Sequence, residues 1–72
     1  MTDLIEVTGR APDSIPLRRD RPIYRYGEFY IGMVESLRAK QPNYIWLAYN
    51  DLGKLMMYAA TRNRLMRELD VL

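Results

Sequence analysis

The tetrapeptide NDLG at residues 50–53 stands between two apolar runs, YIWLAY before it and KLMMYAA after it. This arrangement limits the fold more than any other feature of the chain. Asn50 suits the first position of a type I turn, because its side chain can bond back to the turn backbone. Gly53 suits the fourth, where positive φ is often required. A type I turn followed by a glycine bulge is a common connection in longer β-hairpins. The Tyr, Ile, Trp and Leu of the flanks suit a pleated surface. Closing the turn at 50–53 pairs Tyr49 with Lys54, Leu47 with Met56 and Ile45 with Tyr58. On the other face, Tyr44, Trp46 and Ala48 then oppose Leu55, Met57 and Ala59.

A helix should follow. Thr61 is a candidate N-cap, since its hydroxyl can accept from an otherwise unpaired amide. Leu65, Met66 and Leu69, with Leu72 as a further member, make an apolar stripe at helical spacing, and Arg62, Arg64 and Arg67 fall mostly outside it. Arg64 stands three residues after Thr61, so no capping box forms. One long helix over 51–70 is the rival reading, favoured by the propensity of Leu, Met and Ala. Gly53 and the tyrosine-rich approach favour the hairpin.

Upstream, residues 23–36 admit a helix from Gly27 or a strand. Gly27 and Gly32 penalise the helix. The Tyr, Phe, Ile and Val content predicts a single strand over 23–36, with a bend or bulge at Gly27. Residues 38–43, RAKQPN, form the next turn and carry Arg38 and Lys40 as exposed charge. The LIEV segment near the start is a possible fourth strand. Pro12, Pro16 and Pro22 make residues 9–22 an irregular arm. The expected fold class is therefore α+β: a small three-stranded antiparallel meander, with a possible fourth N-terminal strand, followed by a C-terminal helix. Residues 1–22 form the proline- and arginine-rich strand or arm, and 23–72 the sheet-plus-helix domain.

A lone sheet with one helix should be apolar on one face only. The 44–59 hairpin carries apolar residues on both, and a short helix can cover only one. Either the N-terminal arm folds over the second face, or a second copy or another protein does. Tyr44, Trp46, Leu55, Met57 and Tyr58 are the candidate interface residues for such a homodimer or protein partner.

The 72 residues include no Cys and no His. Disulfides, zinc ribbons and Cys- or His-based catalysis are excluded. The nine acidic residues show no recognisable pairing, and the glycines form no phosphate-binding fingerprint. No enzyme, cofactor or metal is expected. No run approaches the roughly 20 apolar residues of a membrane span. The start MTDLIEVTGR lacks the basic and apolar regions of a signal peptide. A cytoplasmic protein without membrane contact is the expectation.

The formal charge is only +2, but the arginines cluster. Arg18, Arg19, Arg21 and Arg25 lie in or beside the arm, and Arg62, Arg64 and Arg67 on the helix. Together these seven are the candidate nucleic-acid contacts. Arginine neutralises phosphate, and aromatic residues on a sheet can stack bases. Three strands and a helix also make up sheets that enter the major groove. The leading functional expectation is a small non-enzymatic accessory or regulatory module, dimeric and bound to nucleic acid, DNA before RNA. The alternative is a protein-binding regulator or inhibitor of the phage or plasmid type, which uses an apolar sheet face and no nucleic acid.

Overall fold

The computed structural model describes residues 2–36 and 43–72; the expected 38–43 turn, with Arg38 and Lys40, lies almost wholly outside the described residues. The chain is α+β. Among the described residues, five antiparallel strands follow one another across a single sheet, and one α-helix packs on it. The strands are β1 (Leu4–Glu6), β2 (Ile23–Tyr26), β3 (Phe29–Ser36), β4 (Asn43–Tyr49) and β5 (Leu55–Ala59), and the helix is α1 (Arg62–Asp70). Every strand pairs with its sequence neighbour, as short connections favour. No helix among the described residues is long and apolar enough to cross a membrane.

The expected three strands become five for two reasons. LIEV does enter the sheet: Leu4 lies opposite Tyr26, and the Val7 amide donates to the Ile23 carbonyl at 2.7 Å. The single strand expected over 23–36 is instead a hairpin, with Tyr26 opposite Phe29. Gly27 turns the chain at φ 60°, while Glu28 stays at negative φ. Those are the signs of a two-residue hairpin loop with glycine first, whose twist matches that of the strands. The aromatic strand-formers on both sides of the loop had concealed it.

The 50–53 hairpin follows its predicted chemistry. Asn50 Oδ1 accepts from the amides of Leu52 at 3.0 Å and Lys54 at 2.9 Å. The Gly53 amide closes the turn onto the Asn50 carbonyl at 3.0 Å, with Gly53 at φ 79°. The long helix over 51–70 is excluded, because Leu55–Ala59 is a strand. The register differs from the expectation. A bulge at Ala48/Tyr49 pairs Tyr49 with Leu55, Ala48 with Met57, Leu47 with Tyr58 and Trp46 with Ala59. The extra residue sends Leu55 to the face opposite Met57, since side chains alternate between faces.

Thr61 caps α1 as expected: its Oγ1 accepts from the Arg64 amide at 3.2 Å. Leu65 and Leu69 are buried and Met66 packs beside them. Leu72 does not join the stripe. It lies beyond the helix and is 71% exposed. The helix face of the sheet buries Tyr26, Ile31, Ala48 and Ala59 beneath Leu65 and Leu69.

The opposite face has its own cover, and that cover is the arm. Ile15 and Leu17 are buried there with Ile23, beside Tyr30, Val34 and Tyr49. Gly32 makes the socket for Leu17: a Cβ there would stand 2.7 Å from a Leu17 methyl. The loop holds its shape through the Pro12 carbonyl, which accepts from the Ile15 amide at 3.1 Å and from the Arg19 guanidinium at 2.6 Å. The arm stops short of the outer strands. Ile45 and Leu47 stay half-buried, and Leu55, Met56 and Tyr58 are exposed.

One tie between helix and sheet is titratable. The Tyr26 hydroxyl donates to Asp70 Oδ1 at 2.6 Å. That hydrogen bond, then burial, then the negative charge of Asp70 raise the Tyr26 pKa, because all three favour the neutral phenol. A raised folded-state pKa contributes stability that is complete below the unfolded value, about 10, and is lost as pH rises through the folded one. Thermal unfolding followed across that alkaline range should show the wild type losing stability faster than Tyr26→Phe. Parallel curves for the two proteins would deny the bond any role in the pH dependence.

Candidate nucleic-acid interface

The seven candidate arginines divide by what they touch. Arg18 forms a surface ion pair with Asp20 at 2.6 Å, and Arg19 holds the Pro12 carbonyl. Arg25 donates to Asp51 Oδ1 and to the Gly27 carbonyl, both at 2.7 Å, and lies over the Tyr30 ring at 4.5 Å. Its pKa is raised, chiefly by the bond to Asp51, so it ties two hairpin turns together as a fixed cation. Arg64 pairs with Glu68 one helical turn on, at 3.6 Å. Arg67 is exposed on the helix. These contacts engage four of the seven candidate arginines within the fold.

Arg21 and Arg62, like Arg67, show no such bond among the described residues, but unlike Arg67 they lie over aromatic rings. The Arg21 guanidinium lies 5.2 Å from the centre of the Tyr44 ring. That of Arg62 lies 5.2 Å from the Tyr24 ring and 5.8 Å from the Trp46 ring. Neither has a hydrogen-bond or ion-pair partner among the described residues. A guanidinium held over a ring has its rotamers restricted beforehand, and donors not bonded within the fold stay available to an outside acceptor. Both cations are thus positioned over rings and have no acceptor among the described residues.

The sheet brings them to one region. Tyr44 and Trp46 are two residues apart on β4 and share the helix face, about 7 Å apart. Met33 lies opposite Trp46, and Glu35 opposite Tyr44. Tyr24 meets Trp46 at 6.3 Å between ring centres, tilted by 37°. α1 starts at Arg62, so its length covers the half of this face nearer the turns and leaves the other half to the aromatic cluster. Beside it, Arg18, Arg21, Met33, Val34 and Glu35 line a hollow of about 190 Å³. Glu35 is the one acid in that lining.

The five candidate interface residues do not share one surface. Tyr44 and Trp46 belong to the aromatic cluster, with Tyr44 43% exposed. Met57 packs toward the helix. Leu55 and Tyr58 lie on the opposite face, by their register with Tyr49 and Leu47. Tyr24 completes the aromatic cluster and was not singled out from the sequence, because its place beside Trp46 depends on the 26–29 hairpin. Among the described residues, no three acidic side chains come together to hold a metal.

Comparison of the chain with protein-family models, with curated proteins and with solved structures returned no match.

Proposed function

We propose that this chain is a non-enzymatic nucleic-acid-binding module that takes the phosphate backbone on Arg21 and Arg62, with Tyr24, Trp46 and Tyr44 as the apolar floor. One observation supports this reading above the rest. Two arginines lie over aromatic rings with no hydrogen-bond or ion-pair partner among the described residues, while Arg18, Arg19, Arg25 and Arg64 are engaged inside the fold. Charge-assisted bonds from such pre-oriented forks to phosphate oxygens are among the stronger hydrogen bonds. Tyr44, 43% exposed, leaves aromatic surface beside them for a base.

The test is fluorescence anisotropy with labelled single-stranded and duplex oligonucleotides, DNA and RNA, over a series of salt concentrations. The double variant Arg21→Ala/Arg62→Ala should weaken binding about tenfold or more. It should also flatten the slope of log K against log salt by about 1.4 for a single strand, as two lost phosphate contacts require. Arg18→Ala/Arg19→Ala should leave both nearly unchanged. Arg62→Lys keeps the charge but gives up the planar fork, so it should bind more weakly than wild type. A wild-type protein with no salt-sensitive affinity for any of the four oligonucleotides overturns the reading. Equal losses in the two double variants would replace the Arg21–Arg62 site with diffuse charge attraction.

The second reading is a protein-binding regulator without nucleic acid. The observation in its favour is the apolar strip of Leu55, Met56 and Tyr58 at the edge of the sheet.

A further inference from the structure

The sheet has two outer strands, and only one is blunted. β1 is three residues long, carries Glu6 and runs directly into a 3-10 turn at Thr8–Arg10. Short, charged, interrupted strands resist pairing with other chains. β5 reads LMMYA, without a charge. Leu55, Met56 and Tyr58 on it are 45%, 44% and 66% exposed. A groove of about 280 Å³ runs along this edge, lined by Ile45, Tyr58, Ala59, Ala60, Arg64 and Glu68. Its rim is therefore an acid–base pair set one helical turn apart.

We propose that a second copy of this chain occupies the edge, with β5 of each copy antiparallel to the other about a two-fold axis at Tyr58. The bulge fixes the centre. It takes Met56 out of register, so the regular ladder is Met57–Ala59. Pairing centred on Tyr58 sets Met57 opposite Ala59 of the second copy and each Tyr58 opposite its counterpart. The rim argues for a copy of the same chain over a different protein. A two-fold axis runs the two helices in opposite directions across the seam. Arg64 of each copy then faces Glu68 of the other, so the rim is complementary to itself. The same rotation keeps both helices on one face of a continuous ten-stranded sheet. A three-residue ladder with two ion pairs is a small interface, so the dissociation constant should be micromolar. The inference stands apart from the nucleic-acid reading, because Arg62 reaches across the sheet to Tyr24 and Trp46 while Arg64 lines the β5 edge.

The experiment measures solution mass by light scattering and sedimentation over a concentration series. Wild type should pass from monomer to dimer in the micromolar range. R64E presents two acids at the rim and E68R two bases, so each alone should remain monomeric at concentrations where wild type is dimeric. An equimolar mixture should recover the dimer, with one chain of each kind. Arg64 is exposed and Glu68 half-buried, and circular dichroism checks that each variant folds. Y58K, at a residue 66% exposed, should abolish the dimer without unfolding the chain. A wild type that stays monomeric throughout overturns the proposal. So does a pair of folded charge variants that dimerise alone as well as they do together.

Discussion

Gly53→Ala should lower the melting temperature by about 10–20 °C. Two penalties act at the same atom. Gly53 sits at φ 79°, where a β-carbon is strained by about 1 kcal/mol. That Cβ would also stand 2.2 Å from the backbone carbonyl oxygen of Ser14. A backbone atom cannot rotate away as a side chain can, so the arm must lift. Lifting it uncovers Ile15 and Leu17, each nearly fully buried, and burial of one such side chain is worth about 1.5–3 kcal/mol. With the arm lifting only in part, a combined loss of about 2.5 kcal/mol, at about 4–8 °C per kcal/mol for a domain of this size, gives the stated shift. Gly53→Asn separates the two penalties. Asparagine tolerates positive φ but still carries the Cβ. If contact with Ser14 dominates, the Asn and Ala variants will melt close together. If Asn restores most of the wild-type stability, the arm does not press on the turn.

That experiment probes the part of the fold least legible in the sequence. The 50–53 turn, its asparagine and glycine, and the Thr61 cap could be read locally, because each is a bond between residues two to four positions apart. The 26–29 hairpin also left a local sign, a glycine before a polar residue between alternating strand-formers, but continuous aromatic content masked it. The bulge at Ala48/Tyr49 left none, so the register and the face of Leu55 were out of reach. The arm offered a faint cue. Ile15 and Leu17 alternate around Pro16 within a charged stretch, as they would if one side met an apolar surface. The socket they need is Gly32, which as a sequence feature only argued against a helix.

The arginines show the same limit. Sequence clustering put Arg18, Arg19 and Arg21 together as equals. The fold separates them, since Asp20 and the Pro12 carbonyl take the first two and Tyr44 takes the third. Asp51 reads as turn chemistry, and it is also the ion partner of Arg25, 26 residues away. Which cation retains unused donors is a tertiary property. It depends on which side chains the sheet register sets side by side.

Leu65→Ala should destabilise the chain by about 3–4 kcal/mol, the largest loss expected of any single truncation on the helix. Leu65 is fully buried, and its neighbours Ile31, Ala48 and Ala59 belong to three different strands. Removing it gives up the transfer energy of the side chain and leaves a cavity that a sheet ladder cannot collapse to fill. A 72-residue domain is worth roughly 4–11 kcal/mol in all, so the variant should lie close to its unfolding midpoint at moderate temperature. The same contacts set the start of the helix against the sheet, and Arg62 is the first helical residue. Loss of the Leu65 anchor should therefore loosen the stacking of Arg62 on Tyr24 and Trp46. Tryptophan emission, which reports Trp46 alone, should shift to the red at denaturant concentrations where wild type is unchanged. Arg62→Ala should change that emission with much less loss of stability. If Leu65→Ala costs under about 1 kcal/mol by urea unfolding, α1 is not the element that fixes this face, and the position of Arg62 has another origin.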